Sequence, residues 1–145
     1  MQRIDGRWVI SPQDIVAEFE CEHRVSLNAA VSGGALAFTP TADPGLDLLR
    51  RLGIEHEQRR LANLPPSWRV VRLPNTQHSP DSYRAGWAQT RPAMAEEVDA
   101  IYQAVLFTGD FVGLVDFLVL ARDAQGSFLL DGRGRASDEP IDAKS

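Results

Sequence analysis

The chain has 145 residues, of which 43% are hydrophobic, and a formal net charge of −5. This size predicts one domain, residues 1–145, that can bury a core without disulfides. The lone Cys21 excludes an internal disulfide framework and a zinc site built from several cysteines. The acidic balance is not typical of proteins that bind nucleic acid through a basic patch. Because we find no apolar run of about 18 residues and no apolar leader, we expect no membrane contact and a cytoplasmic location.

The first part of the chain has the periodicity of helices. Three helices are predicted, over residues 11–24, 45–64 and 79–94. The first and third begin with Ser-Pro, a pair that favours a helix start. A loop rich in Gly, Thr and Pro over residues 32–44 and a short strand at 68–74 separate the three helices.

After residue 100 the pattern changes to apolar strands separated by turns. Strands are predicted at residues 101–107, 111–120, 127–130 and 140–144. Helices followed by a meander are typical of the α+β class, so we expect N-terminal helices and then a mostly antiparallel sheet.

A single carboxylate interrupts the most apolar of these strands. Asp116 lies in the run VDFLV at residues 115–119. Burial of an unpaired carboxylate costs free energy, and such a residue is tolerated when it binds a metal ion or pairs with a cation. The alternative is an aspartate near a strand end that only hydrogen-bonds a turn. The residue by itself leaves both interpretations open.

The triplet Asp142-Ala143-Lys144 is the second candidate. Alternate residues of a strand project from the same face, so the carboxylate of Asp142 and the ammonium of Lys144 are expected side by side. A carboxylate can bind magnesium, and a neighbouring lysine can orient water or stabilise charge on a phosphate. Because this pattern is common by chance, an ordinary surface salt bridge is the alternative.

His56 lies in the predicted second helix. The residues that lie near the same face of that helix are Leu48, Leu49, Leu52 and Arg59. A packed or capping histidine is the ordinary interpretation. A zinc-protease helix is excluded, because its motif needs a second histidine at the position that Arg60 occupies.

The segments LGIEHE, IYQAVLFTGDFVGLVDFLV and EPIDAKS, at residues 52–57, 101–119 and 139–145, are more informative together. Their order resembles the RecB-like putative nucleases of the PD-(D/E)XK superfamily. The segment SPQDIVAEFECEHRVSLNAA, at residues 11–30, is similar to the first helix of that family. The resemblance covers most of the chain and is best at residues 101–119.

The resemblance implies a restriction-endonuclease-like core and assigns roles to individual residues. His56 matches the helix histidine that completes the metal shell, and Asp116 matches the first acidic ligand. Asp142 and Lys144 match the acid and the lysine of the D-x-K motif, and the carbonyl of Ala143 is the implied further ligand. The implied cofactor is Mg²⁺ or Mn²⁺. Asp116, Asp142 and Lys144 would then catalyse hydrolysis of phosphodiester bonds in DNA.

The family also implies features beyond this chain. A helix normally follows the lysine, so we expect the nuclease domain to be truncated and to lack its final helix. Cys21 resembles the cysteine that some relatives use for an iron–sulfur cluster, which a longer parent protein with more cysteines could hold. The implied partners are DNA and, in such a parent, a helicase-type domain, with a role in DNA repair.

Two interpretations stay open. Arg133 and Arg135, in the loop between the two aspartates, either contact phosphates or belong to a solvated loop tip. The whole chain is either a metal-dependent nuclease or a non-catalytic fragment or interaction module that keeps the nuclease fold.

Overall fold

The computed structural model describes residues 1–39, 41–133 and 135–141. These residues form four helices, a mixed four-stranded sheet and a two-stranded antiparallel sheet, which confirms the predicted α+β class. The elements are β1 (Gln2–Ile4), β2 (Arg7–Val9), α1 (Pro12–Glu20), α2 (Glu22–Ser32), α3 (Pro44–Ala62), β3 (Val70–Arg72), α4 (Pro80–Ala95), β4 (Ala100–Phe107), β5 (Val112–Leu120) and β6 (Asp138–Ile141).

The chain divides into two compact units. The first comprises Met1–Ala42 and Leu106–Gly113, and the second comprises Asp43–Val105 and the chain from Leu114 onward. The expectation of one nuclease domain stays a prediction.

The first unit begins with a β-hairpin that the sequence analysis did not predict. β1 pairs with β2 in antiparallel register, with Ile4 opposite Arg7. Asp5 and Gly6 have φ angles of 50° and 78°, as a two-residue turn of type I′ requires at both central positions. The Asp-Gly pair is the sequence signal that could have revealed this turn.

Helix α1 is fixed at its start by a buried carboxylate. Asp14 accepts hydrogen bonds from the backbone N–H and the hydroxyl of Ser11, at 2.8 and 2.7 Å. The ammonium group of Met1 lies 2.6 Å from the other oxygen. Burial by itself would raise the pKa of Asp14, but these donors outweigh it and lower the pKa. One helix is predicted over residues 11–24. In the structure α1 ends at Glu20, and a second helix, α2, begins directly after Cys21.

The second unit contains most of the four-stranded sheet, whose strand order is β3-β4-β5-β6. β3 is parallel to β4, whereas β5 and β6 are antiparallel. The prediction of a mostly antiparallel sheet is therefore corrected to a mixed sheet. The physical reason is that α4 lies between β3 and β4 in the chain, and a helical crossover returns the chain in the same direction.

The region after β5 contains less strand than predicted. At residues 127–130 the structure has isolated bridges, Arg122 with Phe128 and Leu130 with Ala136, instead of a strand. β6 begins at Asp138, and the rest of the predicted last strand lies outside the described residues.

Helix α4 packs closely on β4. A Cβ atom at Gly86 would lie 2.8 Å from the Cβ of Val105, so this position has no room for a side chain. Thr90, which is 0% exposed, accepts a hydrogen bond from the Val105 N–H at 3.0 Å and donates one to the Gly86 carbonyl at 3.0 Å. Helix and strand therefore meet almost backbone to backbone.

Candidate functional site

Asp116 lies in the middle of β5 and is half-buried. Its neighbour Phe117 is 1% exposed and packs against Leu61, with its ring centroid 5.3 Å from that of Tyr102. Because strand residues alternate between faces, Asp116 lies on the opposite face, which it shares with the buried Leu118. The prediction of a carboxylate within an apolar strand is confirmed.

The β5–β6 ladder leads toward the second candidate carboxylate. Its last described pair joins Phe117 and Ile141. In the chain, Asp116 comes directly before Phe117 and Asp142 comes directly after Ile141. Asp142, Ala143 and Lys144 lie outside the described residues, so their proposed roles stay predictions.

His56 lies on the exposed surface of α3. Leu61 packs this helix against the face of β5 that carries Phe117, whereas Asp116 lies on the other face. The backbone positions of His56 and Asp116 therefore lie on opposite sides of β5.

A polar cluster that the sequence analysis missed joins α3 to β4. Glu57 accepts a hydrogen bond from the side-chain amide of Gln103, and Gln58 donates one to the Tyr102 hydroxyl at 2.9 Å. Burial raises the pKa of Tyr102, and the neighbouring Glu57 raises it further. Gln103 has a φ of 60°, a left-handed conformation that costs a non-glycine residue about 1–3 kcal/mol. Glu57 and Gln103 both lie within the segments that carry the family resemblance, but no local pattern in the sequence indicates that they meet.

Several other charged side chains near the sheet form ion pairs or hydrogen bonds with residues of the same chain. Asp99 accepts from the guanidinium of Arg122 at 2.8 Å and from the backbone N–H of Arg69 at 2.9 Å. Arg135 donates two hydrogen bonds to one oxygen of Asp131, at 3.1 and 2.8 Å. The backbone N–H and guanidinium of Arg135 lower the pKa of Asp131. The pair of Arg135 and Asp131 closes a turn of the hairpin loop, and both interpretations of Arg133 and Arg135 stay open.

Among the residues that the structure describes, no group of three or more His, Cys, Asp or Glu side chains is placed to hold a metal ion. The predicted metal ligands Asp142 and Ala143 lie outside the described residues, so the predicted metal site stays a prediction. Cys21 is exposed. In the described part of the chain, no helix is both long and apolar enough to cross a membrane.

Comparisons with protein-family models, with curated proteins and with solved structures find no match to this chain. The assignment to the RecB-like nucleases therefore stays a prediction from the sequence.

Proposed function

We propose that this protein is a metal-dependent nuclease that hydrolyses phosphodiester bonds in DNA, built on a restriction-endonuclease-like core. One observation carries the proposal. The β5–β6 ladder pairs Phe117 with Ile141, the chain neighbours of the two candidate metal ligands, Asp116 and Asp142. If the same pairing continued by one residue, Asp116 and Asp142 would be direct partners, and two neighbouring carboxylates suit a shared divalent cation.

Asp116, Asp142 and the carbonyl of Ala143 would hold Mg²⁺ or Mn²⁺ through oxygen atoms. When bound, the metal lowers the pKa of a coordinated water and neutralises charge on the phosphate. The ammonium of Lys144 would orient the attacking water and donate hydrogen bonds to the phosphate oxygens as negative charge develops. His56 would be an added ligand only if α3 turned its exposed face toward Asp116, so the proposal does not depend on it.

The test is a plasmid-nicking assay with wild type, Asp116→Asn, Asp142→Asn and Lys144→Ala, with Mg²⁺ and with a chelator. We expect cutting by the wild type with Mg²⁺ alone, and at least about a hundredfold less by each variant. Asp81→Asn is the matched control, because this carboxylate on α4 is 98% exposed and far from β5 in the chain. Cutting that continues in chelator, or that Lys144→Ala retains in full, would rule out the proposed site.

The alternative is an interaction module that keeps the fold without activity. The exposed leucines of α3 are the observation that favours it. A chain that binds neither Mn²⁺ nor DNA but associates with another protein through α3 would support this alternative.

A further inference from the structure

Helix α3 buries very little of its apolar surface. Of its 19 residues, all of which the structure describes, Leu61 alone is buried. Leu48 and Leu52 are each 49% exposed and Leu49 is 65% exposed. Helices in proteins gain most of their stability from an apolar face packed on a partner. The exposed leucines of this helix therefore indicate a surface that another body covers.

Two neighbouring rows run along this exposed side of the helix. Residues four apart form a ridge on a helix surface. The leucine row consists of Leu48, Leu52 and His56. The charged row beside it consists of Asp47, Arg51, Glu55 and Arg59, all exposed, and its charges alternate in sign from one residue to the next.

When two copies of a row of four alternating charges run in opposite directions, each positive charge lies opposite a negative charge. Two antiparallel copies related by a two-fold axis place the same flank of each helix side by side. About a midpoint at Gly53, Arg51 of one copy faces Glu55 of the other, and Asp47 faces Arg59. The midpoint of the leucine row is Leu52, one residue from Gly53. One two-fold axis can therefore bring together both the leucine rows and the charged rows of the two copies. Parallel copies would instead oppose like charges.

We infer that α3 is the interface of a homodimer, in which the leucine rows of two copies pack antiparallel and the charged rows pair along one flank. Within one helix, Glu55 and Arg59 approach to 3.5 Å, and Asp47 and Arg50 to 3.2 Å. Such exposed pairs contribute little to stability, so the charges stay available to a partner and decide its orientation. The inference does not rest on nuclease activity. In this dimer His56 lies inside the interface and is not available to bind a metal ion.

The experiment is sedimentation velocity of the full 145-residue chain over a range of concentrations, with charge reversals in the charged row. Wild type is expected to approach twice its mass of 16.0 kDa. Arg51→Glu and Glu55→Arg each oppose like charges at two symmetric contacts, so each is expected to weaken the dimer by at least about tenfold.

Two combinations make the result specific. Mixing Arg51→Glu with Glu55→Arg restores opposite charges and is expected to give a heterodimer. The double variant Arg51→Glu/Glu55→Arg is expected to dimerise like wild type. Arg24→Glu, on the exposed surface of α2, is the control for a reversal outside the row and is expected to change nothing.

A wild-type mass of 16.0 kDa at every concentration would overturn the inference. So would single reversals that associate as strongly as wild type, or a mixture that stays monomeric. Circular dichroism of each variant verifies that the helices remain folded.

Discussion

Helices α3 and α4 belong to the same compact unit and contact the same strand, but they are held in opposite ways. α4 buries Tyr83, Gly86, Thr90 and Ala93, which recur at helical spacing along one side. α3 has more leucines, yet it buries only Leu61, and its Glu57 and Gln58 side chains form hydrogen bonds with residues of β4. Gly86 lets α4 approach β4 closely, whereas most leucines of α3 stay exposed.

The largest effect is expected for Gly86→Ala. Alanine is the better helix former, but its methyl group would overlap Val105, and overpacking of this kind costs about 2–3 kcal/mol. Urea unfolding of Gly86→Ala, Val105→Ala and the double variant measures the coupling between the two sites. The double variant is expected to be more stable than the sum of the single changes predicts. Additive effects would show that the two side chains do not meet.

Thr90→Val tests the polar part of the same contact. Valine keeps the shape of threonine but leaves the buried N–H of Val105 without its acceptor, at a cost of about 1–3 kcal/mol. Ser26→Ala on α2 is the control. Like the Thr90 hydroxyl, the Ser26 hydroxyl donates a hydrogen bond to a backbone carbonyl one turn earlier in its helix, but on an exposed surface. Hydrogen exchange at the Val105 amide is expected to accelerate only in Thr90→Val.

Tyr102→Phe tests the anchor of α3 and should change the pH dependence of stability. The pKa of Tyr102 is raised in the folded state, so the unfolded chain loses this proton first as pH rises. The stability that protonated Tyr102 contributes is fully present below its pKa in the unfolded chain, which is about 10. This stability is lost as pH rises through the pKa of the folded state. Tyr102→Phe should cost about 1 kcal/mol at neutral pH, through loss of the Gln58 hydrogen bond, and should flatten the alkaline decline. Equal slopes in urea titrations of both proteins at alkaline pH would contradict this.

Gly53→Ala should have the smallest effect and the opposite sign to Gly86→Ala. A Cβ at Gly53 meets no described atom within 4 Å, so only the helix propensity changes. The gain is expected to be about 0.5–1 kcal/mol, measured by thermal unfolding. A loss of stability would show that this side of α3 is packed against something.

The helices of the second unit could be predicted from the sequence, but their packing could not. The positions of α3 and α4 follow from periodicity, and the start of α4 also follows from its Ser-Pro pair. Periodicity also marks the leucine face of α3, but it does not say whether the rest of the chain covers that face. The parallel β3–β4 pair depends on where α4 returns the chain, which is a tertiary property.

The candidate site was predictable only in part. Asp116 could be found because a carboxylate interrupts an apolar strand. The Glu57–Gln103 bond could not, because it joins residues 46 positions apart and depends on the left-handed φ of Gln103. α2 was missed because its sequence has no continuous apolar face, and the Asp-Gly hairpin was missed although its turn signal is local.

The proposed function requires that Asp116 and Asp142 bind the same divalent metal ion. Calorimetric titration of the 145-residue chain with Mn²⁺ tests it directly and requires no DNA. We expect saturable binding by the wild type and by Asp81→Asn, and loss of that binding in both Asp116→Asn and Asp142→Asn. Binding that is unchanged in either of these two variants, or a wild type that binds no Mn²⁺, would contradict it.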